Sequence, residues 1–243
     1  VAVTPDGKTV ISGSYDRSLK VWDLNSGRCH ATLEGHSNVV AGLAVTPDGK
    51  TVISASTDSS LKVWDLESGK CRATLEGHTH GVSSVAVTPD GETAISVSTD
   101  ATLKVWNLES GKCRATIEGH TDHIWSVAVT PDGETVISGS EDTTVKVWNL
   151  DSGRCRATFE GHSLGVYEVA VTPDGKTVVS ASSDGTLRVW RLPSPDAVVE
   201  VDDSARYTNA KVVLVGESGV GKTGLALRLA EDRWQETGSS HGM

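Results

Sequence analysis

An all-β fold built from five copies of one four-stranded antiparallel sheet is what this 243-residue sequence predicts. Three observations carry the prediction. Tryptophan recurs at Trp22, Trp64, Trp106, Trp148 and Trp190, always 42 residues apart. The string TPDG keeps the same period at 4–7, 46–49, 88–91, 130–133 and 172–175. Between these marks apolar and polar residues alternate over strand-length runs, the period of a strand and not of a helix.

In chain order one unit reads "VSSVAVT", "ETAISVS", "TLKVWNL" and "KCRATIE", four short strands separated by turn residues. TPDG follows the first run: its proline presets a negative φ and its glycine supplies a positive one, as a tight turn requires. The dipeptide SG, after LE or LN, makes the next tight turn. Consecutive hairpins then give an antiparallel sheet with two faces to bury. One sheet cannot cover both by itself, so neighbours must stack, and radial stacking of units of about 40 residues is a propeller.

The GH and WD or WN signature at these intervals closely resembles the WD-repeat β-propellers, and the resemblance covers residues 1–192. It implies a partial propeller of five blades, followed by a linker over 193–210. The arc is expected to be incomplete at both ends. Residues 1–7, VAVTPDG, align with LAVTPDG at 43–49 and lack a preceding GH. After Trp190 the chain reads RLPSPDAVVEVDD where NLESGKCRATIEGH is due, so the fifth blade lacks a normal fourth strand unless AVVEV at 197–201 supplies it. Seven blades are usual in the family, so we expect a fragment of a longer protein, with missing blades or another chain closing the arc.

A serine, an aspartate, a tryptophan and a histidine recur with the same spacing. The sets are His36, Ser54, Asp58, Trp64; His78, Ser96, Asp100, Trp106; His120, Ser138, Asp142, Trp148; and His162, Ser180, Asp184, Trp190. Their donors and acceptors fit one chain: indole N–H to serine oxygen, serine hydroxyl to one ring nitrogen, the other ring N–H to carboxylate. The resemblance implies the same structural tetrad. Ser, His and Asp are also the parts of a nucleophilic triad. An enzyme needs one such site, however, and here the set occurs four times with a tryptophan occupying the serine's acceptor, so no catalytic residue is assigned. His80 and His123 invite a metal reading, which we set aside because their neighbours His78 and His120 belong to tetrads.

Specificity must lie where the units differ. Three and five residues after each GH histidine stand Val39 and Ala41, Gly81 and Ser83, His123 and Trp125, Gly165 and Tyr167. The residue before each tetrad aspartate varies as Tyr15, Thr57, Thr99, Glu141 and Ser183. In WD-repeat propellers these positions look out from the top face, where protein partners dock. Tyr15, His123, Trp125, Glu141 and Tyr167 are therefore the candidate partner-binding patch. Since other units place alanine or serine at the slot of Trp125, the slot does not demand a large apolar side chain, and Trp125 is expected to be exposed.

Composition narrows the partners. A net charge of −10 with scattered lysines and arginines argues against nucleic acid and anionic membrane surfaces. No apolar run is long enough to span a bilayer and no signal peptide is visible. The four cysteines, 29, 71, 113 and 155, stand one per repeat, far from any C-x-x-C spacing. They read as small half-buried strand residues, and unpaired thiols suit the cytoplasm.

A different signal occupies 211–243. KVVLVGESGVGKT places a β-rich run, Val212 to Val215, before G-x-x-x-x-G-K-T, and GLALRLAEDRW follows with helical periodicity. Backbone N–H groups of such a loop converge on phosphate oxygens, lysine bridges the outer phosphates and threonine holds Mg²⁺. The stretch looks like the start of a small Ras/Rab-type GTPase domain, or the related domain of multidomain signalling proteins. The resemblance implies nucleotide-binding roles for Gly216, Gly219, Gly221, Lys222 and Thr223, with GTP or ATP and Mg²⁺ on Thr223 as cofactors; the propeller itself needs none. Ser240 stands where the Mg²⁺-sensing threonine of the first switch is due. No D-x-x-G or N-K-x-D follows, so no GTP hydrolysis is expected from this chain. Two functions result: a non-enzymatic protein-binding platform tethered to a nucleotide switch, or a GTPase with a regulatory propeller. By residue count the first is favoured.

Overall fold

The computed structural model describes residues 1–193 and the strand 210–212. Five four-stranded antiparallel sheets follow one another along the chain. The first holds β1 (Ala2–Val3), β2 (Thr9–Gly13), β3 (Leu19–Asp23) and β4 (Cys29–Leu33). The second holds β5 (Val40–Val45), β6 (Thr51–Ser56), β7 (Ser60–Asp65) and β8 (Cys71–Glu76). The third holds β9 (Val82–Val87), β10 (Thr93–Ser98), β11 (Leu103–Asn107) and β12 (Lys112–Ile117). The fourth holds β13 (Ile124–Val129), β14 (Thr135–Ser140), β15 (Val145–Asn149) and β16 (Cys155–Phe159). The fifth holds β17 (Val166–Val171), β18 (Thr177–Ser182), β19 (Leu187–Arg191) and β20 (Ala210–Val212). Among the described residues no helix is long and apolar enough to cross a membrane.

Within each sheet the strands pair in sequence order, as hairpins dictate. The TPDG glycines supply the left-handed corner, with φ 71° at Gly49 and 76° at Gly91. The threonine of the same string ties the turn down: Thr46 Oγ1 donates to Asp48 Oδ1 at 2.6 Å and accepts from Thr51 N at 3.1 Å.

Burial follows the alternation and fixes the order of stacking. Ile53, Leu61, Val63 and Leu75 of the second sheet pack on Val82, Val85, Ala94 and Trp106 of the third. Ile95, Leu103, Val105 and Ile117 then meet Ile124, Val127, Val136 and Trp148 of the fourth. The third and fourth clusters repeat the scheme between sheets four and five, and one and two. The inner strands β5, β9, β13 and β17 lie side by side. The result is an open propeller arc. On the first sheet Val1, Val3 and Leu24 stay exposed; among the described residues its core cluster is shared with the second sheet alone.

One expectation is completed by the structure and one needs correction. The fourth strand of the last sheet is β20, whose Ala210, Lys211 and Val212 pair with Val189, Arg188 and Leu187. Ala210 belongs to the expected linker and Lys211 and Val212 to the expected nucleotide segment, so this strand draws on both. It gives the β19 edge a hydrogen-bonding partner. The alternative strand AVVEV lies outside the described residues. The cysteines are exposed, not half-buried. They sit on the outermost strands where the register shifts, as between Val63/Trp64 and their partners Ala73 and Cys71, and among the described residues no further sheet lies beyond them.

Candidate functional site

The four tetrads are interior features. Trp64, Trp106, Trp148 and Trp190 each donate from Nε1 to Ser54, Ser96, Ser138 and Ser180 Oγ at 2.8 Å. The serine oxygens stand 2.7 Å from His36 and His120 Nε2, and 2.8 Å from His78 and His162 Nε2. With the indole filling the serine's acceptor site, the hydroxyl donates to Nε2 and the Nδ1–H is left for the carboxylate. Nδ1 meets Oδ2 of Asp58, Asp100, Asp142 and Asp184 at 2.8, 2.8, 2.6 and 2.9 Å. The same Oδ2 accepts from the backbone N–H after each histidine, Ser37, Thr79, Thr121 and Ser163. Each set therefore ties the loop before a sheet to the two central strands within it. Every serine oxygen is committed and fully buried, leaving no hydroxyl aimed at solvent.

The electrostatics follow from that geometry. Burial pushes the imidazoles of His36, His78 and His162 below their ordinary value, outweighing the pull of the aspartates. Burial would raise Asp58 and Asp100, but hydrogen bonds from Ser60 or Thr102, the imidazole and the backbone bring both down to about 2. Asp142 and Asp184 are lowered by the same kind of partners against the same cost. These are charges held by the fold, with no proton left to exchange near neutrality. The first sheet keeps only Trp22 Nε1 on Ser12 Oγ at 2.8 Å.

The glycine of GH belongs to this unit. At Gly119 φ is 143°, and an added Cβ would stand 3.0 Å from Trp148 Cη2. The indole lies directly on the backbone, which leaves no room for a side chain.

The variable residues emerge from a feature that alternation alone does not reveal. The inner strands slip register near the loop: Ile124 pairs with Ser140 and Ser126 with Gly139, leaving Trp125 unpaired. Val166 and Glu168 pair with Ser182 and Ala181, leaving Tyr167 unpaired. Ala41 and Ser83 occupy the same position in the second and third sheets. A bulged residue leaves the in-and-out alternation, and its side chain is re-aimed without disturbing the core. That is why one slot accepts alanine, serine, tryptophan and tyrosine.

Four of the five candidate residues come together. Trp125 and Tyr167 stack at 5.4 Å with an interplanar angle of 28°. His123 meets Trp125 edge-on at 5.7 Å. Trp125 Nε1 donates to Glu141 Oε2 at 2.7 Å. Gly165 is small because a Cβ there would strike the Glu141 carboxylate. Tyr167 is 47 % exposed and Trp125 is half-buried, covered on one side by its own neighbours. Tyr15 stands apart on the first sheet, 87 % exposed.

Two participants were not among the candidates. Ser126 Oγ accepts from Val169 N at 3.2 Å and donates to Glu168 Oε1 at 2.9 Å, joining fourth and fifth sheets directly beside the aromatic stack. Crowding by the inner strands pushes the Glu168 carboxyl up, against the pull of Ser126. The available signal was that Gly42, Ser84, Ser126 and Glu168 are equivalent by the 42-residue period and only one is charged. Gly216, Gly219, Gly221, Lys222 and Thr223 lie outside the described residues.

Stacked antiparallel sheets pinned by repeated polar tetrads, with variable side chains raised on bulges at one end, define a propeller-type scaffold. The WD domain, G-beta repeat family matches residues 1–23, 27–65, 69–107, 111–149 and 153–191, so the chain belongs to the WD-repeat family. It is similar to dynein assembly factor with WD repeat domains 1 of Mus musculus, 54 % identical over 44 residues, 18 % of this chain and 11 % of that protein. Transcriptional repressor rco-1 of Neurospora crassa is 46 % identical over 44 residues, 18 % of this chain and 7 % of that protein. Mitochondrial division protein 1 of Pyricularia oryzae is 54 % identical over 35 residues, 14 % of this chain and 5 % of that protein. The chain thus spans about a tenth or less of the length of these curated relatives.

Proposed function

We propose that this chain is a protein-interaction scaffold whose docking face is centred on His123, Trp125, Glu141 and Tyr167, with Tyr15 as an outlying contact. The observation that carries the reading is the bulge: the fold holds its core constant and lifts one variable side chain per sheet, and in two adjacent sheets these are stacked aromatics. Rigid, amphipathic rings at low entropy cost are what a binding centre needs. The face turned outward by the first sheet is the surface a further blade or another chain would cover. Four exposed free thiols suit a reducing compartment such as the cytoplasm. Selection of displayed peptides against the intact chain tests the reading. Binders should lose affinity at least tenfold on Trp125→Ala and Tyr167→Ala while far-ultraviolet circular dichroism shows both variants folded. Binders indifferent to both substitutions would overturn it.

A second reading rests on sequence alone. We propose that Gly216, Gly219, Gly221, Lys222 and Thr223 form a phosphate-binding loop for GTP or ATP, with Mg²⁺ on Thr223, making the scaffold an appendage of a nucleotide switch or, in the alternative, the regulatory part of a GTPase. The support is GESGVGKT preceded by a β-rich run and followed by helical periodicity. Calorimetric titration of the full chain with GTP·Mg and ATP·Mg should give heat that Lys222→Ala abolishes; no heat with either nucleotide would refute it.

A further inference from the structure

The end of the arc that carries the aromatic stack has a charge signature of its own. Its surface is made by the GH loops and by the loops that hold the tetrad aspartates. Between them these nine loops, 14–18, 35–39, 56–59, 77–81, 98–102, 119–123, 140–144, 161–165 and 182–186, contain no lysine and one arginine, Arg17. At the opposite end the turns carry a lysine or arginine in nearly every repeat, from Lys8 and Arg28 through Lys176. The tetrad aspartates on the first of these ends are already saturated by hydrogen bonds. Asp122, Glu141 and Glu168 are differently placed.

Glu141 holds the Trp125 indole through Oε2, and Glu168 holds Ser126 through Oε1. Among the described residues Glu141 Oε1 and Glu168 Oε2 have no hydrogen-bond donor, and neither carboxylate has a lysine, arginine or histidine in ion-pair range. In the chain Ser126 follows Trp125, and Glu168 follows Tyr167. Glu141 is thus bonded to the stack itself and Glu168 to the residue after Trp125: two carboxylates, each with an open acceptor, beside an exposed aromatic face, where the surrounding loops supply one arginine and the amino group of Val1 adds a charge felt at Glu168.

We propose that this patch takes an arginine side chain from an extended basic segment of a protein partner. The inference rests on the docking-face reading above and specifies its ligand. A guanidinium is planar and weakly hydrated, so it can lie on the open face of Tyr167. Its five fixed N–H donors also match the open carboxylate oxygens beside it. A lysine ammonium supplies the charge but neither the plane nor the fork. A purely apolar segment would strip water from both carboxylates and return no donor, and an acidic one would meet like charge.

Four capped twelve-residue peptides of glycine and serine test this, carrying three arginines, three lysines, three glutamates or no charge. Each is titrated into the full chain while the Trp125 indole N–H and the backbone amides around Tyr167 are followed by NMR. The arginine peptide should shift these signals, bind about fivefold or more tighter than the lysine peptide, and weaken severalfold as salt rises. Glu141→Gln with Glu168→Gln should weaken it about tenfold or more. Glutamine preserves the indole and serine contacts, and an unchanged thermal midpoint shows the variant is folded. Equal binding of the arginine and lysine peptides, or binding indifferent to the double glutamine variant, overturns the arginine assignment. Shifts produced by the neutral or acidic peptide overturn it too, while leaving the docking face standing. Failure of all four peptides to move these signals overturns the arginine proposal, and the docking-face reading then stands or falls on the displayed-peptide selection alone.

Discussion

Removing the indole N–H from one tetrad, Trp106→Phe, is the sharpest test of what holds the arc together. Trp106 is 1 % exposed and its Nε1 lies 2.8 Å from Ser96 Oγ, itself fully buried. The substitution leaves the serine oxygen short of one donor, at about 1–2 kcal/mol. It also shrinks the ring beside Gly77; a void of roughly 40 Å³ at about 24 cal/mol per Å³ adds about 1 kcal/mol. A loss of about 2–3 kcal/mol is expected. Ser96→Ala orphans both the indole N–H and His78 Nε2, 2.8 Å away, and should cost about 2–4 kcal/mol. The double variant no longer has an indole N–H to strand, so its loss should fall short of the sum by about 1–2 kcal/mol. Urea unfolding followed by far-ultraviolet circular dichroism measures this cycle, since seven tryptophans blur fluorescence. Single losses that simply add, within about 0.3 kcal/mol, would show that the bond contributes nothing through its geometry and would refute the reasoning.

Three further outcomes follow from the same coordinates. Gly119→Ala puts a side chain at φ 143° and 3.0 Å from the Trp148 ring, so the urea midpoint should fall by the equivalent of about 1–3 kcal/mol. Thr143 sits at φ 72° where the fifth sheet uses Gly185 at 79°; Thr143→Gly should raise stability by up to about 1 kcal/mol and Gly185→Thr should lower it by about 1–2 kcal/mol, read as opposite shifts in thermal midpoint. Acid should destabilise in two stages. His36, His78 and His162 have depressed folded values, so the unfolded chain binds protons first and stability falls once pH drops below about 6.5. Asp58 and Asp100, at about 2 when folded against 3.8, contribute stability present above 3.8 and lost between there and about 2, about 1 kcal/mol each after solvent screening. A midpoint flat from pH 7 to 3 would contradict both stages.

The fold was legible because its rules are periodic. A 42-residue recurrence of TPDG, SG and tryptophan specifies turns and strand faces five times over, and a misreading in one unit is corrected by the next. The tetrad side chains are visible for the same reason, since His, Ser, Asp and Trp keep their spacing where the packing repeats. What escaped is what does not repeat. Alternation is a rule about paired strands, and a bulge suspends it for one residue, so the exit of Trp125 and Tyr167 from the sheet had to come from the backbone. Glu168 was overlooked because its equivalents Gly42, Ser84 and Ser126 make the position look like filler. The cysteines were misplaced because period 2 says which face a side chain occupies, not whether another sheet lies beyond it.

That division has a physical cause. A scaffold position is constrained by neighbours on every side: Gly119 by the Trp148 ring, Ser96 by an indole and an imidazole, Trp106 by the apolar side of the second sheet. Changing any one strands the others, which keeps the units alike. A bulged residue has been released from the ladder and answers to fewer neighbours, so alanine, serine, tryptophan and tyrosine all occupy it in one sheet or another. Chemistry able to distinguish one partner from another accumulates at such positions because mutation there leaves stability nearly untouched. Of the four bulges, only the adjacent pair in sheets four and five carries large rings, and the two carboxylates beside that pair, Glu141 and Glu168, also depart from the repeat. Departures that cluster in space, on a scaffold that elsewhere copies itself, are the ground on which the proposed docking face rests.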